Sequence, residues 1–357
     1  MPIQGFVRLR KHQLARQAVF GTKVPATRRY PFRGTPSANL NWTDPDVDAG
    51  SRDPVAAPYR TASDLTAPLT DAALQYNNLP AMLAAFFGGA EVPTGGGPAK
   101  TWNWHPASET LDDPDVFTYE FGDDVLTDWY QFGDGILETL AFTGAEGLGP
   151  ISVAMGWRFG SFASTGSTDS PVTGTVPTPD LALDIEGTIV YLKDMKIAIA
   201  SDPGDLGTSQ VVDALHSFAL NLGQAVDQKR FANGSQNFDI DAYGPGARTI
   251  DLACTFAKTA DTVGVGSESD AWMSDQAVNR YVRLTFTSTV MTTGATPYSW
   301  IVEFPMRYYT REEGEQGGNT TVVLTGHAFF DAIEFEGVFD TTVVCTLGEA
   351  ELGDVAS

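Results

Sequence analysis

Apolar side chains alternate with small or polar ones along much of this chain. The clearest run covers residues 151–159, in which Ile, Val, Met, Trp and Phe occupy every second position. A period of two places these side chains on one face of a β-strand. Clusters of Gly, Pro and Asp separate this run from others like it, as in antiparallel sandwiches and barrels. We predict further strands over residues 116–121, 136–142, 181–192, 217–222, 238–243, 248–257, 281–289, 298–306, 321–325 and 328–347, the last broken near Gly337.

Two segments have a helical pattern instead. Asn78-Leu79-Pro80 is a helix-start signal, and the apolar residues of 79–87 then recur at i, i+3, i+4, i+7 and i+8. Gly88-Gly89 ends this pattern. A weaker helical pattern covers residues 268–280. The sequence therefore predicts an all-β fold, an antiparallel β-sandwich or barrel, with one or two helices.

A weak internal repeat suggests two tandem β units. Strand 136–142, a turn at Gly149-Pro150 and strand 151–159 are matched about 100 residues later by residues 237–243, a turn at 244–246 and strand 250–256. In this alignment Trp157 and Phe256 occupy matching positions of the two units. The resulting division is an extended arm and loop over 1–70, a first unit over 71–160, a linker over 161–180, a second unit over 181–350 and a tail over 351–357.

Composition excludes several classes of protein. The chain has 357 residues, of which 42% are hydrophobic, so a sizeable core can form. Its formal net charge of −23 argues against binding nucleic acid through a basic face. No apolar run approaches the roughly 18 residues of a membrane span, so we expect no membrane partner.

The charge is distributed unevenly. Eight of the 22 basic residues lie in the first 33 positions, which contain no Asp or Glu, and Lys and Arg are absent between Lys100 and Arg158. A basic arm on an acidic body predicts contacts between copies, although a solvated surface with a basic tail is the alternative. The candidate contacts between copies are Arg8, Arg10, Lys11, Arg16, Lys23, Arg28, Arg29 and Arg33. The candidate acidic lumen or inter-subunit face comprises Asp112, Asp113, Asp115, Glu120, Asp123, Asp124 and Asp128.

The sequence offers little catalytic chemistry. The four histidines form no His-x-His or His-Glu-x-x-His pair, so no metal site is indicated and each is expected to be a surface or hydrogen-bonded polar residue. Residues 95–101 resemble a phosphate loop, but Ala99 replaces the glycine that must precede the lysine. Residues 44–48 have calcium-loop spacing without the turn glycine or the bidentate acid. We therefore expect a non-enzyme without catalytic residues, metal or cofactor; carboxylate pairs are so abundant that a hydrolase stays open as an alternative.

Cys254 and Cys345 both lie in strand-like runs. We expect buried free thiols, and we also leave open a single bridge between them. The first ten residues lack the apolar segment of a signal peptide, so we expect folding in a reducing compartment.

Five segments together resemble the major tail tube proteins of long-tailed bacteriophages. In chain order they are residues 17–27, 78–89, 100–106, 116–122 and 130–144, and the second half of the chain adds residues 218–223 and the final hairpins. The resemblance implies a β-sandwich with a flanking helix, whose strands join across neighbouring subunits into a barrel around a lumen. Stacked rings then form a tube for DNA, and terminal arms bridge successive rings.

The resemblance also implies the partners. These are copies of the chain itself, as a trimer if the two β units are true duplicates and otherwise as a hexamer. Further partners would be the tape measure, the tail terminator, the baseplate and possibly a sheath, with DNA only transiently in the lumen. The expected location is the virion tail, after assembly in the host cytoplasm. The alternatives are a baseplate or decoration subunit, or a carbohydrate-binding module that uses Trp42, Trp102 and Trp104.

Overall fold

The strand pattern of the sequence corresponds to an antiparallel β fold. The computed structural model describes residues 10–43, 59–88, 93–95, 97–106, 115–123, 128–147, 149–164, 187–206, 210–211, 215–231, 240–258, 280–292 and 294–352. The predicted fold class is confirmed, and helix α1 (Leu79–Phe87) has the predicted bounds. The strands are β1 (Arg10–Arg16), β2 (Arg28–Tyr30), β3 (Arg33–Gly34), β4 (Ser37–Thr43), β5 (Tyr59–Asp71), β6 (Lys100–Trp104), β7 (Phe117–Asp123), β8 (Asp128–Ala145), β9 (Ser152–Phe159), β10 (Ser161–Ser164), β11 (Met195–Ala200), β12 (Gln210–Val211), β13 (Leu215–Lys229), β14 (Ala242–Ala257), β15 (Arg280–Met291), β16 (Pro297–Gln316), β17 (Asn319–Ala328) and β18 (Asp340–Cys345). A short helix α2 (Glu349–Leu352) follows them.

Two long strands, β8 and β16, each belong to two sheets. The first half of β8 pairs with β7 and β10, and its second half pairs with β9 and β13. The first half of β16 pairs with β15 and β18, and its second half pairs with β17. A strand that bends from one sheet into another buries a continuous core in the corner.

The second halves of both long strands belong to one antiparallel sheet of eight strands. Its order is β4, β5, β9, β8, β13, β14, β17, β16, with β3 continuing the line of β4 along β5. We call this the main sheet. A second sheet has the order β2, β1, β7, β8, β10, and a third has the order β6, β18, β16, β15, β11, β12.

The strand pairings show that the chain contains the same unit twice. In the first unit β1 pairs with β2 and β7, β7 with β8, β8 with β9 and β10, β9 with β5, and β5 with β4. The second unit repeats each of these pairings with β11, β12, β15, β16, β17, β18, β14 and β13 in the corresponding places. The irregularity in the β8–β9 ladder at Glu138 recurs in the β16–β17 ladder at Tyr309. We call these the N-terminal and the C-terminal unit.

The repeat is present, but not in the predicted register. Residues 244–246, taken as a turn, lie inside β14 opposite β13. Trp157 pairs with Ala67 of β5, and the corresponding residue of the C-terminal unit, which pairs with Leu252 of β14, is Gly326 rather than Phe256. A hairpin has the same alternation wherever it occurs, so the sequence pattern alone matched the wrong pair of strands.

Other predicted boundaries also change. The described residues of the predicted arm, 10–43 and 59–70, form strands of the N-terminal unit. The first residues of the predicted linker form β10, and residues 187–191 of the predicted strand 181–192 make only isolated bridges. Residues 165–186, most of the second predicted helix (268–279) and the end of the tail (353–357) lie outside the described residues.

Helix α1 joins the two units. All nine of its residues are buried. Alanines occupy the face opposite its large apolar side chains, so no polar side chain of the helix has to be buried. The Phe87 ring stacks on Phe339 of the C-terminal unit at 4.7 Å between centroids. The Arg248 guanidinium donates to the Phe87 carbonyl oxygen at 3.0 Å, which satisfies one of the carbonyls left without a partner at a helix end.

The second half of β8 packs against the core of the C-terminal unit. Phe142 is fully buried, and its ring lies 4.8 Å from that of Trp300, which in turn stacks on Phe286 at 4.8 Å. This aromatic cluster packs the N-terminal unit against the core of the C-terminal unit.

Phe142→Ala should lower the free energy of unfolding by about 3–5 kcal/mol, because it removes a large buried ring and leaves a cavity. Denaturant unfolding measures this value. The control is Asn221→Ala on the exposed face of β13, where we expect a change within about 0.5 kcal/mol. A loss below about 1 kcal/mol for Phe142→Ala would show that the junction does not depend on this cluster.

Candidate assembly surfaces

The two units are joined by strand pairing between non-equivalent strands. The second half of β8 pairs with β13 from Thr139 opposite Gly223 to Ala145 opposite Ser217. In the N-terminal unit the strand that corresponds to β13 is β3–β4, and in the C-terminal unit the strand that corresponds to β8 is β16. The junction is therefore head to tail. One end of the main sheet exposes β16, the counterpart of β8, and the other end exposes β3–β4, the counterpart of β13.

These two ends are open edges. We define the β4 edge as residues Arg33–Asn39 and the β16 edge as residues Thr310–Gln316. Among the described residues, no strand pairs with the outer side of either edge. Arg33, Gly34 and Thr35 are exposed, as are Glu312, Glu313 and Glu315 on the other edge. Long open edges leave backbone donors and acceptors available to another chain.

The two edges carry opposite charge. The β16 edge contains Arg311 and three glutamates, of which Glu313 forms an ion pair with Lys258 at 2.6 Å. The β4 edge contains Arg33 and no acidic residue, and Arg10 lies beside it, donating to the Thr35 hydroxyl at 3.0 Å. Each edge therefore repels its own kind and attracts the other.

One face of the main sheet is buried and the other is exposed. The buried face carries large apolar side chains, such as Met155 and Leu324. The exposed face is dominated by small or neutral residues. Its Arg158 is held by Asp64 at 2.9 Å and Glu138 at 2.5 Å, and its Arg307, opposite His327, lies over the Phe329 ring. This face therefore offers no free basic patch among the described residues. Its small and neutral members include Thr66, Thr70, Ala154, Gly156, Thr139, Ala141, Thr143, Ala219, Asn221, Ala253, Thr255 and Thr325.

The basic residues singled out from the sequence do not lie on a free arm. Lys11 and Arg16 belong to β1 and are 8% and 3% exposed. Arg16 forms ion pairs with Asp115 at 3.3 Å and with Glu349 of α2 at 3.6 Å. Arg10 is the first residue of β1, and its guanidinium lies over the Phe121 ring. Arg33 lies on the β4 edge. Arg28 and Arg29 belong to β2 of the second sheet and, like Lys23, are half-buried. Arg8 lies outside the described residues.

The acidic residues lie close to these cations in the same chain. β1 pairs along its whole length with β7, so that Arg10 is opposite Asp123. Asp128 is opposite Asp123 across the β7–β8 hairpin, and Asp115 holds Arg16. Glu120 is only 1% exposed, so its carboxyl group does not belong to an acidic lumen or inter-subunit face. Asp112, Asp113 and Asp124 lie outside the described residues.

The basic and acidic segments are thus neighbouring strands. Their pairing corrects the prediction that residues 10–33 reach another copy, because β1 is already an interior strand of the second sheet. Arg16 meets Asp115 and Glu349, and the Arg10 guanidinium lies over the Phe121 ring. Of the eight basic candidates, Arg33 and Arg10 alone lie at an open edge of the main sheet among the described residues.

Glu120 is a buried carboxyl group. Its Oε1 accepts a hydrogen bond from the Gln131 side chain at 3.1 Å. Burial raises the pKa of Glu120 from 4.5 to about 7, against the opposing effect of hydrogen bonds from Gln131 and the Ala26 backbone. Nearby, burial, Arg10 and Arg29 lower the pKa of His12 to about 4, so this imidazole is neutral where it meets the Tyr119 hydroxyl at 2.7 Å.

The histidines, cysteines and tryptophans have structural partners. His105, His216 and His327 each contact a carboxylate, namely Asp340, Glu146 and Asp251, so all four histidines are hydrogen-bonded as expected. Cys254 and Cys345 are buried free thiols. Trp102 and Trp104 are buried and stacked on each other, which removes them from any sugar-binding surface. The described residues contain no group of three or more His, Cys, Asp or Glu side chains that could hold a metal.

Glu120→Gln should stabilise the protein above pH 7. A raised pKa in the folded state means that the stabilising contribution is complete below about pH 4.5 and is lost as the pH rises to about 7. The variant has no such loss, so its advantage should grow over this interval to at most about 3 kcal/mol. Denaturant unfolding at pH 4, 6 and 8 measures the difference, with Glu312→Gln on the exposed β16 edge as the control. A constant difference across this range would contradict the assignment.

Comparisons with known proteins complete the description. No helix of the described residues is long and apolar enough to cross a membrane. No protein-family model matches the chain, and no curated protein matches it. Among solved structures, the chain is similar to a subunit of the SPP1 tail tube, determined by solid-state NMR and electron cryomicroscopy. The match has 14% identity and a TM-score of 0.28, and it covers 46% of this chain and 81% of that one.

Proposed function

We propose that this protein is a structural subunit of a phage tail tube, assembling into stacked rings around a channel for DNA. The observation that carries the proposal is the main sheet. In it, four strands of the N-terminal unit join four strands of the C-terminal unit head to tail and leave edges of opposite charge open. The resemblance of five sequence segments to tail tube proteins selects this assembly from among other ring-forming proteins.

Head-to-tail contacts extend until they close. Because the β8–β13 junction uses two different surfaces, repeating it between chains adds subunits in one rotational direction. Each addition covers one open edge and presents an identical one, so the assembly ends only when a ring closes. Closure removes the open edges that a lone chain exposes.

The exposed face of the main sheet suits a channel wall. A wall that holds DNA would need free lysines and arginines, because neutralised phosphates release counterions and strengthen binding. The face described above is dominated by small and neutral residues, its Arg158 is paired to two acids, and the whole chain carries −23. DNA would therefore pass without being retained.

The proposal includes a set of partners and no chemistry. Copies of the chain form the rings, and other tail proteins, among them the tape measure, the terminator and the baseplate, meet the tube at its lumen or ends. DNA is a transient occupant, no catalytic step is assigned, and the tail of the virion is the proposed location.

Electron microscopy of the concentrated protein tests the proposal directly. We expect rings with a central channel that stack into tubes, and labelling with an antibody against the chain should decorate the tail shaft of the parent virion. Rings that never stack would favour a single-ring component such as a baseplate subunit. A protein that stays monomeric at high concentration would contradict the proposal.

A variant with basic residues on the candidate channel wall should retain DNA. In Ala154→Arg/Ala253→Arg both arginines lie on the exposed face of the main sheet, and we expect tubes of this variant to bind a short duplex at least about tenfold more tightly than wild type at low salt. A labelled-duplex filter assay across a salt series measures the gain, which should fall steeply with salt. The matched control is Val290→Arg/Ile333→Arg, at exposed positions off the main sheet. Equal binding by the control would contradict the assignment of the channel face.

A further inference from the structure

We infer that residues 17–27 form a hinged cover over the second sheet, closed while Glu120 is protonated and open at one end once this carboxyl group ionises. We call residues 17–27 the cover. They join β1 to β2 and contain no acidic residue. The device belongs to the single chain and does not depend on the proposed assembly.

Strand β7 is buried on both of its faces. Phe117, Tyr119 and Phe121 belong to the hydrophobic core. Thr118 and Glu120 alternate with them and point to the other face, yet they are 0% and 1% exposed. The cover is what separates this second face from water.

Two backbone hydrogen bonds fasten the far end of the cover, residues 23–27, to this face. The Val24 N–H group donates to the Thr118 hydroxyl oxygen at 3.0 Å. The Ala26 N–H group donates to the Glu120 carboxyl group. The far end is therefore attached to the sheet through polar groups, one of which can gain or lose a proton.

The sheet has a glycine where the cover crosses β8. A Cβ atom at Gly133 would lie 2.7 Å from Lys23 Cε and 2.8 Å from Lys23 Cγ. A side chain at position 133 would therefore displace the Lys23 stem. The surface of the sheet accommodates the closed cover closely.

The near end of the cover, residues 17–22, is fastened to Asp134. The Oδ1 atom of Asp134 accepts hydrogen bonds from the Gly21 N–H group at 2.6 Å and from the Gln17 side chain at 3.0 Å. Gln17 Oε1 in turn accepts from the Asp134 N–H group at 2.7 Å, and the Ser161 hydroxyl donates to Asp134 Oδ2 at 3.3 Å. This denser network makes the near end the hinge.

The hinge is a feature of the N-terminal unit alone. In the β7–β8 ladder Thr118 lies opposite two residues, Gly133 and Asp134, and Asp134 has a φ of 56°. Such an extra residue is a β-bulge, which re-aims a side chain. In the corresponding part of the β15–β16 ladder, residues 280–282 pair one to one with residues 304–306.

The two units can be aligned at the end of β9 and β17. The N–H group of Gly160, just after β9, donates to the Gly133 carbonyl oxygen, and that of Phe329, just after β17, donates to the Pro305 carbonyl oxygen. Gly133 therefore corresponds to Pro305. Two residues earlier, Gln131 corresponds to residue 303.

The corresponding carboxyl group of the C-terminal unit is paired and partly exposed. Glu303 is opposite Arg283 and forms an ion pair with it, with side chains 20% and 32% exposed. In the N-terminal unit the pair at this place is Gln131 and Glu120, 4% and 1% exposed. A carboxylate beside an arginine and water stays ionised, whereas burial beside an amide favours the neutral acid.

The loop that corresponds to the cover is held differently. It follows β11, and its described residues, 201–206, are anchored by Leu206, which is 2% exposed. Leu206 packs with Ala198, Ala200 and Tyr281. An apolar anchor does not respond to protons, so this loop is an internal reference for the cover.

Ionisation of Glu120 opposes closure. The other charged groups on its face are Lys11 of β1, Arg29 of β2, Lys23 of the cover and Asp134 of β8. The cations favour the ionised form and Asp134 disfavours it, and burial prevails, raising the pKa of Glu120 to about 7. Lifting the far end admits water to the carboxylate, while the hinge stays attached.

Hydrogen exchange of the full chain between pH 5 and pH 8 tests the cover. After correction for the intrinsic pH dependence of amide exchange, protection of the Val24 and Ala26 amides should fall by about 10- to 100-fold over this range. The sign follows from a pKa of 4.5 in the open state and about 7 in the closed state. The closed state is fully stabilised below about pH 4.5 and loses this stabilisation as the pH rises to about 7.

Two isosteric variants separate the proton from the hydrogen bonds. In Glu120→Gln the protection of the far end should change by less than about threefold between pH 5 and pH 8. Thr118→Val removes the acceptor of the Val24 N–H group, so protection should be lower at every pH while its ratio between pH 5 and pH 8 is unchanged. The matched control is Glu303→Gln, at the corresponding place of the C-terminal unit, which should leave the pH dependence of the cover as in wild type.

The second buried carboxyl group provides a further check. Burial raises the pKa of Asp134 as well, against hydrogen bonds from Gly21, Gln17 and Ser161. Asp134→Asn should therefore loosen the hinge and keep the pH dependence of the far end. If that dependence is lost in Asp134→Asn and kept in Glu120→Gln, the inference is overturned.

Three other results would also overturn the inference. One is protection of the far end that does not vary with pH in wild type. Another is an equal loss of protection in residues 203–206 of the reference loop. The third is an equal loss along β1 and β7, which would mean that the sheet unfolds rather than that the cover opens.

Discussion

The whole architecture depends on how backbone hydrogen bonds are satisfied at the edges of the main sheet. A strand inside a sheet has both sides of its backbone paired, and a strand at the end has one. Within the chain, the backbone groups on the outer side of β8 in the N-terminal unit are paired with those of β13 in the C-terminal unit. Duplication of the unit thus turns one of its two joining surfaces into an internal contact. The same logic leaves one β4 edge and one β16 edge per chain for contacts between copies.

The internal and open versions of this junction differ in polarity. Leu140, Phe142 and Leu222 fill the buried face of the internal one. At the corresponding positions of the open edges stand Arg311, Glu313 and Ala38. A subunit must remain soluble before it assembles, so charges at the open edges prevent indiscriminate pairing. In the proposed assembly, opposite charges at the two ends would favour the correct partner.

The sequence predicted elements better than it predicted neighbours. Periodicity identified most strands and both ends of α1. Alternation along a strand, and a proline at the start and glycines at the end of a helix, are local signals. Pairing is non-local, and the corresponding residues Trp157 and Gly326 or Leu140 and Arg311 have little in common, so the real repeat was invisible in the sequence. It emerges only from the strand partners.

The distribution of charge likewise did not show whether the basic and acidic segments meet within one chain or between two chains. The concentration of basic residues up to Arg33 and of acidic ones after Lys100 predicted contact between the basic arm of one copy and the acidic body of another. Nothing in the sequence distinguishes pairing within a chain from pairing between chains, and β1 lies against β7 of the same copy. Burial of Arg16 and Glu120 could not be read from their residue types, which are usually exposed.

The placement of residues 10–16 and 28–30 in strands also bears on the specificity of the proposed assembly. If the first 33 residues were a free basic arm, it could bind any acidic surface, including every other copy in solution, in many orientations. Once Arg16 is held by Asp115 and Glu349, the cations left at the β4 edge are few and fixed by strands. A small number of positioned charges beside a backbone ladder selects one register, because a slip of one residue moves every side chain to the other face. In the proposed assembly the sheet edge would therefore supply the strength of the contact, and the remaining arginines would supply its alignment.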